Sequence, residues 1–138
     1  MNNEKTNWEE IAQLICTTAI TVACIFHCTP SCSQTSDQVR AEIHRQGLPH
    51  PHIVLAQARL ETGNFRSERC RRDKNLFGIK HNGKYAKYST WQASVADYKK
   101  RISARYKGGD YLAFLKRIGY AKDPAYQDKV CKIVRTSK

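Results

Sequence analysis

Glu61 occupies a position that helix formation does not favour. It closes the run Ala56-Gln57-Ala58-Arg59-Leu60-Glu61-Thr62-Gly63, in which the only other charge is Arg59. On a helix begun at Pro51, Val54, Ala58 and Glu61 fall at i, i+4 and i+7, so the acid shares a stripe with small apolar residues. Burial along that stripe disfavours the carboxylate, and so does the partial negative charge of a helix C-terminus. Both effects raise the pKa. A carboxyl that keeps its proton near neutral pH is what a general acid for glycosidic cleavage needs. On position alone, the competing reading is a solvated helix-end glutamate neutralised by neighbouring Arg or Lys residues.

Other residues with chemical potential are less informative. His44, His50, His52 and Cys70 are of metal-ligating types. However, His50-Pro51-His52 has the wrong spacing for a helical ligand pair, and no Cys-x-x-Cys accompanies it. No metal and no cofactor are expected, and the histidines read as polar residues at a turn. Four of the six cysteines, Cys16, Cys24, Cys28 and Cys32, lie in or beside an N-terminal apolar run, leaving Cys70 and Cys131 in the domain. In an exported domain those two are expected to form a disulfide, with two unrelated buried thiols as the other reading.

The elements that must position Glu61 follow from periodicity and punctuation. A first short helix carries Val39 and Ile43 and stops at Gly47. Leu48-Pro49-His50-Pro51 turns the chain, and Pro51 suits the first position of the second helix. Asn82-Gly83 between two short strand-like runs predicts a hairpin. Ser89-Thr90-Trp91-Gln92 has the form of a capping box, opening a helix with Trp91, Val95, Tyr98 and Ile102 on one stripe. Asp110 is expected to cap a helix with Leu112, Leu115 and Ile118 that ends at Gly119. Asp123-Pro124 is expected to cap a last one, with Val130 and Ile133 or Val134 facing in. The reading is one mainly α domain with a small hairpin lobe, in the α+β class.

A chain of 138 residues has room for one such domain. Its hydrophobic fraction of 41% is that of a folded protein. The formal net charge of +12 calls for an anionic partner. Nucleic acid would satisfy it, but the basic residues are scattered and no RNA-binding aromatic signature or zinc-finger spacing is present, so nucleic acid is not the expected partner. Carboxylate- and phosphate-rich polymers of a bacterial envelope fit equally well. Residues 1–36 are set apart from a domain over 37–138. Ile11 to Phe26 contains no charge, followed by a Ser/Thr/Pro-containing linker, and reads as an export leader or short membrane anchor. The preceding MNNEKTNWEE is net acidic, contrary to the usual basic start of a leader, and Thr21-Val22-Ala23-Cys24 only loosely resembles a lipoprotein cleavage box. An amphipathic helix packed on the domain is the alternative for this segment.

Four motifs, AQARLETG, NLFGIK, KYSTWQASVADY and GYAKDPAYQDKV, stand in one order from about Gly47 to Val134. Together they resemble the glucosaminidase domain of glycoside hydrolase family 73. The resemblance implies a lysozyme-like helical fold whose hairpin lobe walls a glycan groove. It also implies cleavage of the N-acetylglucosaminyl β-1,4 linkage to N-acetylmuramic acid in peptidoglycan, and hence a cell-envelope location, periplasmic, membrane-anchored or secreted. A monomer acting on glycan strands is expected. By the same resemblance Glu61 is the general acid, and Tyr120 stands near it. Asp97 matches the acid of a Ser-x-x-Asp-Tyr helix motif, with an ion pair to Arg101 as its other reading. Asn75, Phe77, Gly78 and Tyr126 become candidate substrate-binding positions, Phe77 with core packing as its alternative. The chain departs from the family in one respect: many members carry a second carboxylate in a longer hairpin lobe, and residues 76–96 contain no Asp or Glu. Asp97, the substrate's own 2-acetamido group, or an intramolecular transglycosylation needing one acid would each fill that gap. A fold that binds peptidoglycan without cutting it is the remaining possibility.

Overall fold

The computed structural model describes residues 34–137. The apolar run, its linker and the cysteines within them therefore lie outside the described residues, apart from the linker's last three residues. No helix among the described residues is long and apolar enough to cross a membrane. Six α-helices and one two-stranded antiparallel sheet make up the domain: α1 Ser36–Arg45, α2 Pro51–Glu61, α3 Glu68–Asp73, β1 Lys80–His81, β2 Lys84–Tyr85, α4 Trp91–Arg101, α5 Tyr111–Arg117 and α6 Tyr126–Arg135, with a 3-10 turn at Ser103–Arg105. The mainly helical architecture with a small hairpin lobe matches the class read from the sequence.

Helix α1 begins with a reciprocal cap. The Thr35 hydroxyl accepts from the Gln38 backbone N–H, and the Gln38 side chain accepts from Thr35 N–H. Gln34 is already buried, three residues ahead of the expected boundary at residue 37. Helix α2 opens at Pro51 as anticipated and packs between α1 and α6. Val39, Ile43, Val54, Ala58, Leu76, Val95, Tyr98, Phe114 and Leu115 form the main core, while Ala56, Tyr126 and Val130 join α2 to α6 in a second cluster. Because α2 is covered on both sides, its residues from Val54 to Ala58 are all buried, and the apolar stripe that ends at Glu61 is fixed in place.

Two caps differ from expectation. Thr90, not Ser89, caps α4, its hydroxyl accepting from Ala93 N–H, because the helix starts at Trp91 and places the third residue one position later. Asp123 caps the turn ahead of α6, accepting from Ala125 N–H, and the helix itself starts at Tyr126 without a side-chain cap. Asp110 caps α5 as predicted, accepting from Leu112 and Ala113.

The hairpin pairs Lys80 with Tyr85 and His81 with Lys84 around Asn82-Gly83, both with positive φ as a type I′ turn demands. All four strand residues are exposed, and so short a ribbon has little stability of its own. Side chains hold it instead. Asn75 is buried at its base, its Nδ2 donating to the carbonyls of Ile79 (2.8 Å) and Ala86 (3.0 Å) while its Oδ1 accepts from Ile79 N–H (3.1 Å) and Phe77 N–H (3.3 Å). The Arg69 guanidinium lies 3.5 Å above the Tyr85 ring.

Candidate active site

Helix α2 ends at Glu61 because the chain then reverses through Gly63, Asn64 and Phe65, three consecutive residues with positive φ. Thr62 stabilises the reversal: its hydroxyl donates to the Ala58 carbonyl and accepts from Phe65 N–H. Glu61 is thereby presented at the edge of a cleft of about 620 Å³, lined by Phe77, Gly78, Ile79, Ile102, Ile118 and Tyr120 among others. It is the sole carboxylate among the described residues lining this cleft. Lys80, Arg101, Arg105 and Lys122 stand around the same space.

Glu61 is exposed along the cleft, while its carboxyl end sits against Gly78 and Tyr126. Oε2 lies 3.0 Å from where a Cβ on Gly78 would stand. The Tyr126 hydroxyl, at the first position of α6, is the polar neighbour that favours the charged form of the carboxyl. Burial raises the Glu61 carboxyl above the ordinary carboxylate range, and the bond from Tyr126 offsets only part of that rise. The sign agrees with the sequence argument. Tyr120 donates its hydroxyl to the Phe77 carbonyl at 2.9 Å, tying the segment after α5 to the backbone next to Gly78. Burial also raises the Tyr120 and Tyr126 hydroxyls, keeping both neutral donors.

The candidate residues thus separate. Glu61, Tyr120, Phe77 and Gly78 come together at the cleft. The Phe77 side chain turns inward, 4.2 Å from the Tyr98 ring, so its core reading and its cleft position both hold. Tyr126 is buried and addresses Glu61 from behind, not from the cleft surface. Asn75 is no groove residue at all, its whole amide being used on the backbone of the hairpin base.

Asp97 does not line the cleft. Its Oδ2 accepts from Tyr88 (2.8 Å) and His81 (2.9 Å), and its Oδ1 from Arg101 (2.8 Å). Burial alone would raise this carboxyl, but the bonds from Tyr88, His81 and Arg101 outweigh it and hold the group below the usual range. Asp97 is therefore a tether between α4 and the hairpin, with the Arg101 ion pair formed as one of its two readings supposed. Nor are Cys70 and Cys131 bridged to each other. Cys70 is buried in the main core, its sulfur accepting from Gln34 Nε2 at 2.7 Å, whereas Cys131 lies on α6 beside His52 and Ile53 at the surface. Cysteine number alone does not reveal that Cys70 sits in the main core and Cys131 on α6 beside His52.

Two contributions escaped the sequence reading. Besides lining the cleft, Gly78 lacks the Cβ that would crowd the Glu61 carboxyl. Gln57, four residues before Glu61 on the same helix, is buried and bonded to Tyr126. An uncharged polar residue one turn before the acid, on the interior stripe, was the available signal for it.

A family model described as mannosyl-glycoprotein endo-beta-N-acetylglucosaminidase matches residues 36–138. Similar proteins include the exo-glucosaminidase LytG of Bacillus subtilis strain 168, 31% identical over 120 residues covering 61% of this chain and 43% of that protein. The peptidoglycan hydrolase FlgJ of Escherichia coli K12 is 27% identical over 143 residues, covering 77% of this chain and 45% of that one. The chain accordingly corresponds to less than half the length of either relative. The crystal structure of the catalytic domain of the autolysin Auto from Listeria monocytogenes superposes with a TM-score of 0.55 at 26% identity, covering 87% of this chain and 92% of that one.

Proposed function

The chain belongs to the glucosaminidase family, and from that membership we propose that it hydrolyses the N-acetylglucosaminyl β-1,4 linkage to N-acetylmuramic acid in peptidoglycan, with Glu61 as general acid. One observation carries the assignment: Glu61 is the one carboxyl among the described residues lining an open cleft, and desolvation raises its pKa with the Tyr126 hydroxyl opposing. Glu61 gives its proton to the glycosidic oxygen as the C1–O bond breaks and the bonding pair leaves with that oxygen. With Asp97 committed to the hairpin tether, the 2-acetamido carbonyl oxygen of the same sugar is the nucleophile that C1 receives. Water then opens the cyclic intermediate, losing its proton to the Glu61 carboxylate. The cationic rim of Lys80, Arg101, Arg105 and Lys122 suits an anionic glycan carrying lactyl and peptide carboxylates.

The absence of a second carboxylate from the cleft lining among the described residues also favours a second reading, lytic transglycosylation, in which the N-acetylmuramyl linkage is the one cut and the 6-hydroxyl of that muramic residue attacks its own C1 as the protonated glycosidic oxygen leaves. The reaction takes place in the cell envelope, and residues 1–36 carry the chain there as a leader or tether. Digestion of purified peptidoglycan followed by mass spectrometry distinguishes the readings. Reducing N-acetylglucosamine ends, lost in Glu61→Gln, are expected. Fragments ending chiefly in 1,6-anhydro-muramic acid would assign a transglycosylase, and tight binding of the wild type without cleavage a binding domain. A reporter fused after Ser36 should be active outside the cytoplasmic membrane. Activity confined to the cytoplasm would refute the export reading.

A further inference from the structure

We infer that Gln57 is a positioning residue that orders a buried chain of hydroxyls so that Tyr126 presents its hydrogen to Glu61. The inference rests on the reading of Glu61 as the acid. Gln57 has no exposed surface. Its amide nitrogen donates to the Tyr126 hydroxyl oxygen at 3.1 Å, and its amide oxygen accepts from the Tyr98 hydroxyl at 2.7 Å. Tyr98 lies 3.0 Å from the Tyr111 hydroxyl, which lies 3.3 Å from Ser103 Oγ.

A tyrosine has one hydroxyl hydrogen, and this fixes the direction of the chain. Tyr98 spends its hydrogen on Gln57, so its oxygen accepts from Tyr111, and the Tyr111 oxygen accepts from Ser103. At the other end the Tyr126 oxygen already receives the Gln57 N–H. Its own hydrogen has two neighbours to go to, the Tyr120 hydroxyl and the Glu61 carboxylate, and the charged group is the stronger acceptor. The order therefore runs Ser103, Tyr111, Tyr98, Gln57, Tyr126, Glu61, each donating to the next. Turning the Gln57 amide over would reverse every bond, direct the Tyr126 hydrogen at Gln57, and leave the acid without its donor. One Glu61 oxygen is thus committed to Tyr126, and the proton for catalysis is carried by the other.

No buried side-chain nitrogen or oxygen among the described residues lacks a partner. A glutamine, with one donor face and one acceptor face, is the residue type that can both join and polarise such a chain. A leucine in its place would deprive two buried hydroxyls of their amide partner and leave Tyr126 free to turn toward Tyr120, whose ring lies 5.9 Å away. The groups facing Glu61 are Tyr126 of α6 and Tyr120 beyond α5. The cations that share its cleft are Lys80 of β1, Arg101 of α4, Arg105 of the 3-10 turn and Lys122. None of the four is altered by a change at Gln57.

The test uses the full chain with carboxyl-13C glutamate, comparing wild type, Gln57→Leu and Tyr98→Phe. Glu61 is identified by its disappearance in Glu61→Gln. Losing the donor removes a bond that favours the carboxylate, so in both variants Glu61 should titrate at higher pH than in the wild type. The basic limb of kcat/KM should move upward with it, and kcat should fall about tenfold in Gln57→Leu, the equivalent of one hydrogen bond to a charged group. Tyr98→Phe, lacking a single oxygen, keeps the question answerable if Gln57→Leu does not fold. A Glu61 titration unmoved in a folded variant overturns the inference. Full activity of Glu61→Gln would instead overturn the general-acid reading, and the titration would still report on the chain of hydroxyls.

Discussion

Replacing Gly78 by alanine should damage activity beyond its effect on stability, and the geometry separates the two. Gly78 has φ +61°, a conformation that costs an L-residue about 1–2 kcal/mol. For a domain of this size that lowers Tm by roughly 4–8 °C per kcal/mol. The added Cβ would also stand 3.0 Å from Glu61 Oε2, closer than such atoms settle. The side chain relieves the contact at little cost in energy by moving a few tenths of an ångström, but what moves is the acid. If a 1 Å misplacement costs about 100-fold in rate, a shift of that smaller size costs on the order of tenfold. Gly47→Ala supplies the control, since Gly47 has φ +66° and nothing within 4 Å of its would-be Cβ. Both variants should melt earlier by similar amounts, and turnover on purified cell wall, per folded molecule, should fall only in Gly78→Ala. Equal activity in the two alanine variants would refute the claim that Gly78 is kept small for Glu61.

Other expectations follow from the same contacts. Asn75→Ala removes four hydrogen bonds at the hairpin base and should lower stability by about 1–3 kcal/mol in denaturant melts while leaving turnover per folded molecule nearly unchanged. Tyr120→Phe frees the Phe77 carbonyl and should reduce kcat more than it raises KM. Asp97 has a folded-state pKa below its unfolded value, so its tether is intact above the ordinary carboxylate range and weakens as pH falls through the folded pKa; hydrogen exchange at Ala86 should quicken with acid in the wild type and be insensitive to acid in Asp97→Asn. For Glu61 the sign is opposite: its folded pKa is raised, so the native state loses stability as pH rises through that value, and Glu61→Gln should melt higher than wild type at neutral pH though not at low pH.

Local rules carried the sequence reading furthest where one residue type has one conformational solution. Pro51 opens α2, Asn82-Gly83 turns the hairpin, and Asp110 caps α5, each without help from the rest of the fold. The placement of Glu61 was legible for a related reason: the stripe through Val54 and Ala58 depends only on helical periodicity. What failed depended on partners distant in sequence. Asp97 looked available because its neighbours in sequence show only Arg101, while His81 and Tyr88 reach it from the hairpin. Asn75 looked like a groove residue because the motif it belongs to borders the groove, yet its amide is fully occupied by backbone eleven residues downstream and nearer. The Ser89 cap missed by one residue, because serine and threonine side by side offer the same hydroxyl and packing of Trp91 decides between them.

Left-handed backbone occurs at several points in the domain, His50, Lys74 and Asn82 among them, but some of its costly features lie close to Glu61. Positive φ at Asn64 and Phe65, both non-glycine, comes in the reversal just beyond it, and Gly78 lies against its carboxyl. A carboxyl held above its ordinary pKa adds a destabilising contribution at neutral pH. Sequence preference explains none of these locally, since a helix ending in Lys or Arg would satisfy its dipole better. They become consistent when the site is required to hold a proton at a defined place: the reversal after α2 ends the helix at the acid, the missing Cβ admits the carboxyl, and the buried hydroxyls behind it fix which oxygen accepts. With Asp97 committed elsewhere, one carboxyl must both give a proton to the leaving oxygen and recover one from water. A group with that double role gains from a pKa above the ordinary carboxylate range, the direction in which burial moves it against the opposing Tyr126 hydroxyl.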